Sequence, residues 1–342
     1  MVRQNVLITG VNGEVGHVLV GELIKKGKYR IIALYRNNLD KLLITSIDKI
    51  IQGDVLNRSL LEKIIKENNI EIIIHLAAVL STHGEKNPEL AQKINVEGTV
   101  NLLEIATKES ILRKKSIKFI FPSTIAVYGI PTLEIKNKTG KVSEEKFNDP
   151  ITMYGCNKIY CEKLGKYFSK NYMLLSEINR DNLLDFRCVR FPGLISATTL
   201  PTGGTSDFAS EMVHAAAQGK KYECFVSKNS AIPFLAMPDA VNALIKICEA
   251  PRNKLTKLIY NVVGFAPTAI EIEREVNNFF PKAKIIYKVD QKRQKIIDSW
   301  PSDLDDSCAK IDWGWKAKFD FKKTFEEYLT PVVIEKYKSN KS

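Results

Sequence analysis

The chain has 342 residues, 44% hydrophobic and 26% charged, which suits one large or two modest globular domains and excludes a disordered or fibrous chain. No apolar run approaches the roughly 20 residues of a membrane span, and six cysteines without a Cys-x-x-Cys pair, beside only four histidines, leave no zinc-ligand spacing. The formal net charge of +12 comes from scattered lysines with no helix-turn-helix or RNA motif, so it reads as solvated surface rather than a nucleic-acid or membrane interface.

In chain order, 5–9 is expected to be a short buried strand starting within a few residues of Met1, so no signal or transit peptide is expected. It runs into Gly10-Val11-Asn12-Gly13-Glu14-Val15-Gly16, after which Val18, Leu19, Leu23 and Ile24 follow a helical apolar pattern. Strand, glycine turn and helix form the context of a dinucleotide-binding turn. Gly10 permits the tight turn. Gly13 lets a pyrophosphate approach the helix N-terminus, and Gly16 lets the helix pack close to the strand.

Further strands are expected at 30–35, 48–52, 71–76, 117–122 and 185–191, with helices near 14–26, 58–68, 88–108 and 151–170 between them. This alternation implies a doubly wound parallel sheet of the Rossmann type, with its crevice at the carboxyl ends of the strands. The polar segment 131–149 reads as a surface loop. After Phe191-Pro192-Gly193 the pattern changes, and helices near 206–218, 238–249, 267–279 and 320–329 mix with short strands. The expected division is a dinucleotide-binding domain at 1–192, a smaller substrate-binding lobe at 193–330 with segments returning to the first domain, and a tail at 331–342 whose last residues fray.

The segment Tyr154-Gly155-Cys156-Asn157-Lys158 puts a phenol and an ammonium one helical turn apart on one face. A free tyrosine, with a pKa of roughly 10, is a poor base at neutral pH. A neighbouring cation favours its phenolate, which can then take the proton of a substrate hydroxyl.

A glycine turn spaced G-x-x-G-x-x-G together with a Tyr-x-x-x-Lys pair resembles the short-chain dehydrogenase/reductase superfamily. Other pieces fit the same pattern. Gly53-Asp54-Val55 looks like an adenine-contacting segment, and Leu76-Ala77-Ala78 like the loop passing the cofactor ribose. Asn95-Val96-Glu97-Gly98-Thr99 resembles the superfamily's helix asparagine, and Phe121-Pro122-Ser123-Thr124 ends a strand with two hydroxyls. In the second half, Arg190-Phe191-Pro192-Gly193-Leu194, Pro201-Thr202-Gly203-Gly204-Thr205-Ser206-Asp207 and Asp298-Ser299-Trp300-Pro301 closely resemble the short-chain type L-threonine 3-dehydrogenases, relatives of the UDP-galactose 4-epimerases.

That resemblance implies metal-independent oxidation of L-threonine to 2-amino-3-oxobutanoate, in threonine catabolism, with hydride transfer to the nicotinamide of NAD. It makes Tyr154 the base and Lys158 its cation, which also bonds the nicotinamide ribose. Thr124 and Ser123 would hold the substrate hydroxyl. Ser81, Gly204, Thr205, Ser206 and Trp300 would bind the amino acid, with Phe191, Pro192 and Leu194 on the nicotinamide side. Trp300 fits a core residue equally well, and Asp207 reads better as a helix cap than as a ligand. The resemblance also implies a homodimer pairing the Tyr154 helix with the helix near 88–108. His75 reads as structural, and Trp313 and Trp315 as packing residues.

One position departs from the pattern. Counting about twenty residues beyond Gly16 reaches Arg36 where an acid should bond the adenosine ribose. NAD is the expected cofactor, but arginine there also suits the 2′-phosphate of NADP, and Asp40 could substitute from the loop. The cytoplasm is the expected location, with the mitochondrial matrix open for a eukaryotic relative. Two other readings stay open: a nucleotide-sugar epimerase or dehydratase of the same fold, and a non-catalytic cofactor-sensing regulator.

Overall fold

Short runs rich in isoleucine, valine and phenylalanine, each followed by a helix, build the sheet in which the chain buries most of its strands. The computed structural model describes residues 2–338 apart from 38, 179 and 202, and for Lys41 and Leu42 the backbone alone. Thr202 and the last tail residues, 339–342, therefore lie outside the described residues.

Seven strands pair in one sheet: β1 (Gln4–Thr9), β2 (Tyr29–Tyr35), β3 (Lys49–Gln52), β4 (Ile72–His75), β5 (Lys118–Thr124), β6 (Asp185–Phe191) and β7 (Ile259–Asn261). Their order across the sheet is β7-β6-β5-β4-β1-β2-β3. The pairings β1–β2, β1–β4, β2–β3 and β4–β5 are all parallel. Strands β4 and β6 are buried at every position, as a sheet covered on both faces requires. The expected Rossmann-type α/β fold is therefore observed.

By contacts the described chain forms two units that interleave along the sequence. The first takes Met1–Ser123, Cys156–Val189 and Val241–Tyr260. It holds the sheet and a core that includes Leu7, Ile32, Ile73, Leu102, Phe119, Phe121 and Phe186. The rings of Phe119 and Phe121 each lie 6.0 Å from that of Phe186. Residues 241–260 belong to this unit, where β7 completes the sheet's edge.

The second unit takes Thr124–Gly155, Arg190–Ala240 and Asn261–Ser342. It contains three short parallel pairs: Gly193–Ile195 with Phe234–Ala236, Lys221–Cys224 with Lys284–Tyr287, and Lys141–Val142 with Asp303–Leu304. Some of its helices start on side-chain caps. Thr268 and Glu271 form a capping box at Ala269–Phe279, and Asp290 caps Gln291–Ser299, a helix that sequence reading missed. Such caps are each worth about 1 kcal/mol.

Two expectations are corrected here. Segment 131–149 is not simply a surface loop. Leu133–Thr139 is a helix capped by Thr132, and Lys136 is buried, its ammonium donating to the Ile297 carbonyl at 2.8 Å. The tail is also more ordered than expected: Thr330–Lys338 is helical with Val333 buried, and the ring nitrogen Nδ1 of His214 bonds the Tyr337 hydroxyl at 3.0 Å.

Candidate active site

In the first unit the glycine turn does what its spacing requires. Gly10 has φ +70°, and a Cβ there would stand 2.5 Å from the Ala77 nitrogen. A Cβ on Gly16 would stand 2.2 Å from the Val11 carbonyl oxygen, so only glycine lets helix Glu14–Lys26 sit this close to β1. Gly13 is the N-cap of that helix and supplies no side-chain cap, which leaves the helix N-terminus to an outside anion.

A cleft of 320 Å³ opens at the carboxyl ends of β1, β2 and β4. It is lined by Gly10, Asn12 and Gly13, by Arg36, by Asp54 and Val55, and by Leu76, Ala77 and Ala78. Nine predicted cofactor residues are thus brought together. This glycine-walled cradle, with a bare helix start and an exposed arginine, fits a dinucleotide. Of the other predicted residues, Glu14 is exposed and Val15 half-buried on the same helix, outside the lining.

Asn95 is placed differently from the expectation. It lies in a π-helical turn, Lys93–Glu97, and its carboxamide is spent on the chain: Oδ1 accepts from the Val79 N–H at 2.7 Å and Nδ2 donates to the Val79 carbonyl at 3.0 Å. Nδ2 also lies 3.3 Å from Asn157 Oδ1. Asn95 therefore fixes the Ala77–Val79 wall of the cleft from behind. His75 is structural, as expected. Its ring bridges Thr9 Oγ1 at 2.6 Å and Thr99 Oγ1 at 3.0 Å, and burial, helped by the Lys158 charge, pushes its pKa down to about 3.

Lys158 is buried in this unit. Its ammonium donates to the Pro122 carbonyl at 2.7 Å and sits 4.4 Å from the Phe121 ring centre. Burial pulls its pKa down to about 8, opposed by Cys161, Cys188 and Glu162. Next to Pro122, Ser123 is 3% exposed and its hydroxyl has no partner within the described protein. A buried hydroxyl left open is a place for a ligand atom.

Tyr154 and Lys158 share one continuous helix, Met153–Lys170, at the one-turn spacing expected. Gly155 is tightly seated, since a Cβ there would stand 2.0 Å from the Ala126 carbonyl oxygen. Burial pushes the Tyr154 phenol above its ordinary range, which corrects the expectation of a phenol already made acidic by its lysine. Desolvation penalises the phenolate, so the free enzyme keeps the proton on Tyr154.

Most of the remaining candidates belong to the second unit. Thr124 Oγ1 accepts from the Ala126 N–H at 3.2 Å, so it caps a short turn while keeping its own proton to donate. Phe191 and Pro192 are buried, and Leu194 pairs in register with Leu235. Gly204, Thr205 and Ser206 share one turn, with Thr205 2% exposed. Trp300 ends helix Gln291–Ser299, 4% exposed, with its indole N–H unpartnered within the described protein. Ser81 opens a short helix, Ser81–Lys86, in the first unit. A second cavity of 570 Å³, lined by Phe147, Gln294 and Asp298 among others, contains none of the predicted substrate residues.

Beside the Gly203–Gly204 turn, Arg293 escaped sequence reading and Asp207 has another role than the one expected. Arg293 donates to the Gly203 and Gly204 carbonyls at 3.2 and 2.6 Å, and its guanidinium lies over the Phe225 ring. Asp207 stands at the N-cap of Phe208–Ala217 but makes no side-chain cap bond. Its carboxylate accepts from the Gly204 N–H at 2.7 Å instead, correcting its expected capping role.

A family model described as the NAD dependent epimerase/dehydratase family matches residues 6–263. The chain belongs to this family. As a member it is an NAD-dependent oxidoreductase of the extended short-chain dehydrogenase/reductase type. It is 34% identical to a mitochondrial L-threonine 3-dehydrogenase of Bos taurus over 93% of this chain and 80% of the bovine protein. It is 31% identical to an uncharacterized epimerase/dehydratase of Staphylococcus saprophyticus over 97% of this chain and 96% of that one. A solved structure of a monomeric L-threonine 3-dehydrogenase from a metagenome, 34% identical, matches with a TM-score of 0.83 over 98% of this chain and 100% of the other. Among the described residues no helix is long and apolar enough to cross a membrane, and no group of histidine, cysteine and acidic residues could hold a metal ion.

Proposed function

We propose that the protein is an L-threonine 3-dehydrogenase that oxidises the C3 hydroxyl of L-threonine to 2-amino-3-oxobutanoate. The observation that carries the chemistry is the buried Lys158 ammonium held at the Pro122 carbonyl, next to an unpartnered Ser123 hydroxyl, on a helix that also bears Tyr154. Relatives named as threonine dehydrogenases, alike over almost the whole chain, carry the choice of substrate.

The bound dinucleotide supplies a nicotinamide that accepts the hydride. The chain does the rest. Ser123 and Thr124 bond the substrate hydroxyl and fix its direction. Tyr154 takes that hydroxyl's proton as the carbonyl forms. Lys158 keeps a positive charge beside the developing phenolate, and this charge must outweigh the burial that raises the phenol. Ser81, Gly204, Thr205, Ser206 and Trp300 receive the amino and carboxylate groups. Phe191, Pro192 and Leu194 would hold the nicotinamide side of the dinucleotide.

The test is dinucleotide reduction, followed by absorbance, on adding L-threonine. Tyr154→Phe should lose most of the turnover, by about a hundredfold or more, while still binding dinucleotide. Lys158→Ala should weaken both. Activity surviving in Tyr154→Phe would place the base elsewhere. The staphylococcal relative favours one second reading, a nucleotide-sugar epimerase or dehydratase. Silence with threonine and turnover of a nucleotide sugar would establish it. Dinucleotide binding without any turnover would mark a cofactor-sensing regulator, a role that Tyr154 and Lys158 argue against.

Two further proposals accompany this reading. Six cysteines without a Cys-x-x-Cys pair suit a reducing compartment, and we place the protein in the cytoplasm. We also place Tyr160 and Tyr167, 51% and 40% exposed on the Tyr154 helix, in a homodimer interface with helix Gly98–Leu112. Sedimentation at micromolar concentration decides between that dimer and the monomer described for the metagenomic relative.

A further inference from the structure

In the adenosine half of the cofactor cleft, Arg36 follows β2 directly, its side chain 59% exposed and its Nη1 4.0 Å from Asp54 Oδ2. Asp54 is the one carboxylate among the described lining residues. It is already committed: Oδ1 accepts from the Leu56 N–H at 2.9 Å, and Oδ2 faces Arg36. Asp40 does not line the cleft, and its backbone N–H donates to Asn12 Oδ1 at 3.1 Å.

A dinucleotide cleft that takes only the unphosphorylated cofactor does so with a carboxylate on the ribose diol, which bonds the 2′-hydroxyl and repels a 2′-phosphate. The Asp54 carboxylate is engaged with a turn N–H and a cation. What it offers in place of a free acid is a guanidinium with planar paired donors, the geometry that suits a phosphate. The Arg36–Asp54 pair at 4.0 Å is exposed, and exposed pairs of this kind are weak, so a phosphate dianion can displace the carboxylate.

We propose that Arg36 is a 2′-phosphate-binding residue, so that this cleft accepts the 2′-phosphorylated dinucleotide as well as the unphosphorylated one. The proposal rests on the family's dinucleotide cleft and not on threonine as substrate.

The experiment is calorimetric titration of the full cofactor-free chain with adenosine 2′,5′-bisphosphate and with adenosine 5′-monophosphate, so no substrate enters it. The wild type should bind the bisphosphate about tenfold or more tighter, and Arg36→Gln should erase that margin while leaving the monophosphate within about threefold of its wild-type affinity. Equal binding of both probes by the wild type would overturn the proposal. So would an Arg36→Gln chain that keeps the preference or loses both ligands alike. Failure of threonine oxidation leaves this result standing, and failure here leaves the threonine reading standing.

Discussion

Single residues decide the chemistry, and Ser123 is the most exposed to test. Its hydroxyl is buried without a partner, so it contributes nothing to the fold by hydrogen bonding. Ser123→Ala should therefore leave the melting temperature within about 2 °C while lowering kcat/KM for the substrate by about tenfold, the worth of one hydrogen bond to the reacting group. A destabilised variant with unchanged kcat/KM would make Ser123 a packing residue. The motif residues were legible because each answers a local need that spacing displays. Gly10 and Gly16 must lack a side chain, and Tyr154 and Lys158 must share a helical face. The roles of Asn95 and Asp207 were not legible, because both carboxamide and carboxylate are spent on backbone groups that only the folded loops bring near.

At the scale of elements, the Gly203–Gly204 turn shows how a candidate substrate loop is held. Arg293 reaches it from a helix 89 and 90 residues away in sequence, and no spacing rule announces such a pairing. The same distance hid the burial of Lys136, whose carbonyl partner Ile297 lies 161 residues on. A lysine-rich segment was read as surface because charge is usually solvated. Here one ammonium finds a fixed acceptor and the helix Leu133–Thr139 forms around it. As a positioning residue, Arg293 should act on substrate binding. Arg293→Met, which keeps the length but removes the donors, should raise KM for the amino acid by about tenfold with kcat changed by less than about threefold. Dinucleotide affinity should be unmoved, since Arg293 bonds the Gly203–Gly204 turn and none of the residues placed at the dinucleotide. Equal loss of kcat and dinucleotide affinity would show general damage instead.

For the whole molecule, alternation of strand and helix was enough to expect the sheet, but not which segment returns to the first unit. That follows from β7, which must cross back to finish the sheet's edge. The first unit is laced together by His75, which joins β1 through Thr9 and helix Gly98–Leu112 through Thr99. The ring is buried and neutral, with its pKa driven down to about 3. An unfolded histidine takes its proton near 6.5. Between those values the unfolded chain binds one more proton than the folded one. The stability from His75 is therefore complete above pH 6.5 and is lost as pH falls toward 3, by about 1.4 kcal/mol per pH unit. His214, lowered to about 4 by burial, adds a slope of the same sign, so the effect must be isolated by difference. Urea unfolding at pH 7.5, 6.0 and 5.0, comparing wild type with His75→Gln, measures it. The wild type should lose about 1.2 kcal/mol more than the variant between pH 6.0 and 5.0. Parallel curves would mean that the folded His75 ring takes its proton as readily as the unfolded one, and the tie between β1, β4 and that helix would then need another explanation.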